Sequence, residues 1–168
     1  MLDQTALLQH FLAALAYRTQ KALRNAHGAF PGFQAGAQVR TPHDLVCHMN
    51  SVLGYACTFF TGGVYDPGLL PDFQEEVARY HDTLARLARL IQEERDWRDI
   101  SPERLLQGPL SDAMTHAGQL SLLRRLSGDP VPPENFVFAR IDPANLGADQ
   151  PAPAAPDAVW PEAPGREA

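Results

Sequence analysis

Asp112, His116, Gln119 and Leu123 succeed one another at spacings of four, three and four, so on a helix they line one stripe. The segment around them reads as a helix, with Pro109 suited to its first turn and Gly128 to its stop. Ala113, Leu120 and Leu126 flank the stripe, which places the polar residues toward the packed side. A carboxylate and an imidazole turned inward need partners, because burying either one alone costs several kcal/mol, roughly. A divalent cation satisfies both at once, and the rest of the chain then has to bring a third ligand to the stripe. A local Asp–His ion pair one helical turn apart satisfies them too, and such pairs are common on any helix.

The elements that must position this stripe are helical. Asp3 to about Asn25 carries Leu8, Phe11, Leu12, Leu15 and Ala22 at helical spacing, with Asp3 as N-cap and His27-Gly28 as the close. Residues 26–40 form a connector whose Phe30 and Phe33 are expected to pack, since a long loop without anchors is unusual. Thr41-Pro42-His43-Asp44 opens the second helix with an N-cap, a first-turn proline and an acid where the dipole favours it. Its core face is Leu45, Met49, Val52, Leu53, Ala56 and Phe60, with His48 at the edge, and Thr61-Gly62-Gly63 stops it.

After a crossover containing Asp66-Pro67-Gly68, a third helix runs to about Asp96 on Phe73, Val77, Tyr80, Leu84, Leu87 and Ile91. Glu75, Glu76, Arg79, Arg86 and Arg89 fall on its rim. Residues 97–107 form a link with its own turn at Ser101-Pro102-Glu103, and the fourth helix spans about 109–127. Four helical patterns without a convincing strand give an all-α helix bundle. Residues 1–128 form the bundle. Residues 129–168 hold nine of the fifteen prolines and are expected to be an extended acidic arm. Phe136, Val137, Phe138, Ile141 and Trp160 let that arm lie on the bundle, within reach of the mouth of the site, and its last residues are expected to be mobile.

Charge and composition exclude several classes of function. The formal net charge is −6, and the arm holds seven acidic and two basic residues, so the body is nearly neutral. Lys21 is the one lysine among fourteen cations, and no basic patch of the kind that binds nucleic acid or a membrane surface is present. No stretch reaches the roughly 18–20 apolar residues of a membrane span, and the opening residues lack the pattern of a secretory signal. Cys47 and Cys57 on one helix would lie about 15 Å apart, too far to bridge. The expected compartment is the cytoplasm.

Thr41-Pro42 through His48, followed by Asp112-x-x-x-His116-Ala117-Gly118-Gln119-Leu120 and Arg124-Arg125-Leu126-x-Gly128, resembles the DinB/YfiT-like family over about residues 7–128. The resemblance implies a four-helix bundle with a long crossover between helices two and three, and homodimers. It also implies a divalent metal, commonly zinc or nickel, held by one His from helix two and a His-x-x-x-His pair from helix four. Carried over, the metal ligands are His48, Asp112 and His116. Asp112 stands where the family has its first His of the pair, and Ala117 where Arg often precedes Gly-Gln. A two-His, one-carboxylate set suits zinc or nickel and also manganese or iron, with positions open for water or substrate. Gln119 then orients a ligand or a water, or is simply a polar residue at the edge of the core.

The activity the resemblance implies is metal-dependent chemistry on a small-molecule substrate. The metal would activate a low-molecular-weight thiol for S-transfer or isomerisation, or water for hydrolysis. The alternative is a non-catalytic, stress-associated metal-binding or interaction protein. His27 and His43 read as solvent-facing, His81 as a satisfied boundary residue, Cys47 as a small packed apolar group, and Arg124-Arg125 as helix-end arginines or an anion hold.

Overall fold

Helix α1 (Gln4–Leu23) begins where the Asp3 carboxylate accepts from the Ala6 N–H, 3.1 Å away. It ends earlier than His27-Gly28, because Arg24 has already left helical geometry and Asn25 takes a left-handed φ of 55°. An asparagine tolerates that region, so no glycine is needed for the stop. The computed structural model describes residues 3–93, 97 and 99–161. Among these the protein is all-helical, with four long helices and no strand.

Helix α2 (Pro42–Thr61) starts on a full capping box: Thr41 Oγ1 accepts from Asp44 N–H and Asp44 Oδ2 accepts from Thr41 N–H. Gly62 and Gly63, with φ of 70° and 81°, end it. Helix α3 (Phe73–Glu93) opens with Asp72 Oδ1 accepting from the amides of Gln74 and Glu75. The extension of this helix to Asp96 lies outside the described residues. A short helix α4 (Pro102–Leu105), capped by Ser101, runs through one wide π-turn (Leu106–Leu110) into α5 (Ser111–Leu126).

The last helix therefore starts at Ser111, after a kink, and Pro109 lies inside the turn. Gly108 leaves helical geometry (φ −93°, ψ −106°) because Pro109 supplies no N–H and crowds the preceding turn. Ser111 Oγ donates to the Leu106 carbonyl at 2.7 Å, which satisfies an acceptor the kink would otherwise strand.

α2 packs on α3, α3 on α1, α1 on α5, and α5 back on α2. Leu12, Leu15, Met49, Leu53, Tyr80, Leu84, Leu87, Leu110 and Leu120 fill the space they enclose, all fully buried. Phe30 is buried against them and Phe33 packs beside it, so the connector is anchored by its aromatics. Gly54 lets the ring of Tyr65 lie directly on α2; a Cβ there would overlap the ring.

Three residues depart from their sequence-based placement. Glu76 is fully buried, with its carboxylate held by Asn50, Arg79 and the Leu70 N–H. His43 is half-buried, its ring edge-on to Phe73 with centroids 5.4 Å apart. Leu126 is 57% exposed, so it faces water and does not mark a packed flank of α5. His27 is exposed as expected. Arg124 is a structural residue: its guanidinium donates to the carbonyls of Ala22 and Arg24 and pairs with Asp129 at 2.8 Å. Both cysteines are free thiols; Cys57 is buried, and Cys47 lies 3.8 Å from the Arg79 guanidinium.

The arm runs over α1 and α3. Tyr17 O–H donates to Glu134 at 2.7 Å, Lys21 donates to the Pro132 carbonyl, and Arg24 donates to the Gln150 and Pro151 carbonyls. Phe136 stands edge-on to Tyr17, whereas Val137 and Phe138 are exposed. Residues 162–168, for which mobility is expected, lie outside the described residues. No helix among the described residues is long and apolar enough to cross a membrane.

His81 is the satisfied histidine its neighbours imply. Its Nδ1–H donates to the Leu146 carbonyl at 2.6 Å, and Nε2 lies 3.3 Å from the Gln20 side-chain amide. Burial pushes its pKa below the ordinary value, although the Leu146 carbonyl and Asp82 pull the other way. The unfolded chain therefore protonates here first, as pH falls through about 6.5. Stability is full above that pH and is lost as pH drops toward the lower folded value. Melting temperatures measured between pH 7 and pH 5 should fall, and more shallowly in His81→Asn. An identical slope in the variant would remove His81 as a cause.

Candidate metal centre

His48 sits on α2, and Asp112 and His116 sit one turn apart on α5. The face of α2 that starts at Leu45 and continues through Met49 and Val52 packs toward the core, and His48 lies at its border. α5 presents Ala113, Ala117, Leu120 and Leu123 to the core, which turns His116 toward α2. The two imidazole rings meet edge to face with centroids 4.8 Å apart and an interplanar angle of 76°. One ligand atom from each of His48, Asp112 and His116 lies within 4.8 Å of the other two. This group could hold a metal ion.

Its polarity is uneven. His116 is buried, His48 is half-buried, and the Asp112 side chain is 50% exposed. Gln119 is exposed as well. The polar stripe thus does not point into the packed side as a unit; only His116 does, and the carboxylate and the amide stand at the rim. The reason is the width of the contact. α5 is buried on its Ala113–Ala117–Leu120 line, and residues 112 and 119 fall just beyond it.

His116 is oriented from both sides. Its Nδ1 lies 2.7 Å from Gln119 Oε1, an atom that can only accept, so Nδ1 carries the proton. Nε2 is left facing Asp112 Oδ1, 3.3 Å away, and is buried without a hydrogen-bond partner. The contact has the distance of an ion pair without the alignment of a hydrogen bond. A buried ring nitrogen with its lone pair aimed at a carboxylate and a second imidazole fits a cation well. Burial, the Arg40 guanidinium and His116 together lower the pKa of His48, against an upward pull from Asp112. The neutral imidazole is favoured, and that is the ligating form.

The groove between α2 and α5 opens on either side of the three residues. On the Asp112 side a depression of about 540 Å³ is lined by Val52, Tyr55, the kink residues Gly108 and Pro109, Asp112 and Thr115. On the Gln119 side a depression of about 730 Å³ is lined by Val39, Arg40, Leu45, Gln119, Leu122 and Leu126. The described part of the arm shares a cavity with Met114, Gly118 and Ser121, on the opposite face of α5, and no described arm residue lines either depression.

Sequence reasoning missed two contributors. Arg40, in the connector just before α2, acts on His48 through space, and the kink at Gly108 shapes the groove floor. The Gly-Pro pair at 108–109 was the available signal for the second. Nothing local marks the first. No known protein family, curated protein or solved structure matches the chain.

Proposed function

We propose that this protein is a divalent-metal-dependent enzyme of the DinB-like kind, a four-helix bundle whose ion is held by His48, Asp112 and His116. The observation that carries the reading is the convergence of their three ligand atoms from two helices, with His116 Nε2 buried and unbonded at the centre. Further support comes from the cyclic packing of the four long helices and from the order of the motifs along them. Two imidazoles favour zinc or nickel, and the carboxylate also admits manganese or iron. When bound, such an ion lowers the pKa of a thiol or a water brought to its open position.

The chain's own residues supply binding and orientation. Gln119 fixes the His116 tautomer, so Nε2 offers its lone pair. Asp112, half-exposed, supplies the negative charge at the rim. Of the two depressions, the one lined by Tyr55 and Thr115 includes Asp112, and the one lined by leucines and Arg40 includes Gln119, the residue bonded to His116. We favour thiol chemistry because the larger depression combines an apolar wall with a cation, which suits an anionic thiol and an apolar electrophile.

Zinc- or nickel-loaded protein assayed with low-molecular-weight thiols and electrophilic acceptors should show turnover that Asp112→Ala abolishes. Hydrolysis without thiol would assign the open position to water. Absence of turnover in fully loaded protein would leave a metal-binding protein without catalysis.

A further inference from the structure

Along α5, Gln119, Leu122 and Leu126 follow one another at spacings of three and four, so they share one stripe. Leu122 and Leu126 are 52% and 57% exposed, and Val39 of the connector, on the same depression, is 45% exposed. Leu45 and Leu123, both buried, complete the apolar lining. The space they border, about 730 Å³, is of the size that takes a small molecule. Single exposed leucines are ordinary. Several around one concave space keep apolar surface in water that a ligand would cover.

The polar part of this lining offers donors. Arg40 forms no hydrogen bond or ion pair with a described residue, and its charge is felt at His48. Gln119 Oε1 accepts from His116 Nδ1–H, which leaves the two amide hydrogens of Gln119 for another acceptor. A turn closed by the Val39 N–H on the Gly36 carbonyl, with Gln38 at a left-handed φ of 64°, leads the connector into Arg40. No acid is among the described lining residues. The depression thus combines apolar walls with one positive charge that nothing described opposes.

We infer that this depression binds a monocarboxylate with an apolar chain, its carboxylate on Arg40 and Gln119 and its chain along Val39, Leu122 and Leu126. A guanidinium fork and an amide N–H suit the two oxygens of a carboxylate, and one negative charge balances the one positive charge of the lining. A phosphate would bring a second charge with no cation to meet it. From Gln119 to Leu126 the helix rises roughly 10 Å, the length of an extended chain of about eight carbons. A second copy of this chain suits the face less well, because a two-fold contact through it would set each Arg40 on a surface without a described acid. The assignment names one reactant of the reaction proposed above and to that extent rests on that reading, whereas the binding itself needs no ion.

Isothermal titration of the full chain in the presence of a chelator, with octanoate, octanol and acetate as probes, tests it. Octanoate should bind one to one and saturably, octanol about fivefold more weakly, and acetate not measurably. Arg40→Gln should weaken octanoate about fivefold and leave octanol within about twofold of the parent. Leu122→Gln combined with Leu126→Gln should weaken both ligands. All three side chains are exposed, so the variants keep the fold, which thermal melts verify. Absence of saturable octanoate binding overturns the site. So does equal affinity for octanol, or octanoate binding that either folded variant retains undiminished. Sedimentation of the parent that shows a dimer, dissolved by the leucine variant and unaffected by octanoate, would give the face to a second copy and overturn it too. The chelator keeps the two readings apart: loss of this site leaves zinc uptake by His48 and Asp112 untouched, and loss of zinc uptake leaves octanoate binding in place.

Discussion

Protein stripped with a chelator and titrated with zinc should take up one ion per chain, and His48→Ala should weaken that uptake by about 100-fold or more. This follows from the position of His48: it is the member of the candidate group that α2 contributes, and without it Asp112 and His116 form an ordinary pair one turn apart on α5. Asp112→Ala should weaken binding strongly, whereas Asp112→His, which replaces oxygen by imidazole, should retain it. Gln119→Ala leaves all three ligands but frees the His116 ring, so a loss of about tenfold is expected. Competition with a chromophoric chelator measures each value. If His48→Ala and Asp112→Ala bind zinc as tightly as the parent, the ion is elsewhere and the function proposed here falls with it.

Arg79→Met should be among the most destabilising single substitutions in the chain, at about 3 kcal/mol. The Glu76 carboxylate is completely buried, and Arg79 Nη2 and Nε lie 2.5 and 3.0 Å from it. Removing the guanidinium leaves a charge inside the protein with only Asn50 and the Leu70 amide to hold it. It also releases the crossover, because Arg79 donates to the Gly68 carbonyl at 2.8 Å. For a chain of this length the melting temperature should drop by about 6–12 °C. Replacing both members, Glu76→Leu with Arg79→Met, should recover part of the loss, since no buried charge then remains. A melting temperature for Arg79→Met within about 2 °C of the parent would show that the carboxylate does not depend on its partner.

The helices were legible because their signals are local. Asp3, Thr41 with Asp44, and the Gly62-Gly63 stop act on amides a few residues away, and the spacing of Leu, Val and Phe marks a face wherever the helix packs. The same locality put Asp112 and His116 on one side of α5, since four residues make about one turn. The kink was less legible. Pro109 reads equally well as a helix start and as a proline inside a widened turn, and only the helix Pro102–Leu105 before it decides between them.

Glu76 shows the limit from the other direction. A glutamate beside an arginine at helical spacing reads as rim, because burial depends on the crossover that folds over it and on Asn50 from another helix. Local signals along the chain were enough for its helical character, the capping of its helices and the pairing of Asp112 with His116. Tertiary structure alone decided that His48 reaches them, that Arg40 acts on His48, and that Arg40 shares a depression with Leu122 and Leu126. Periodicity fixes which way a side chain leaves its own helix; what it meets there depends on how separate helices rotate and cross, and that is set by the packing of the whole core.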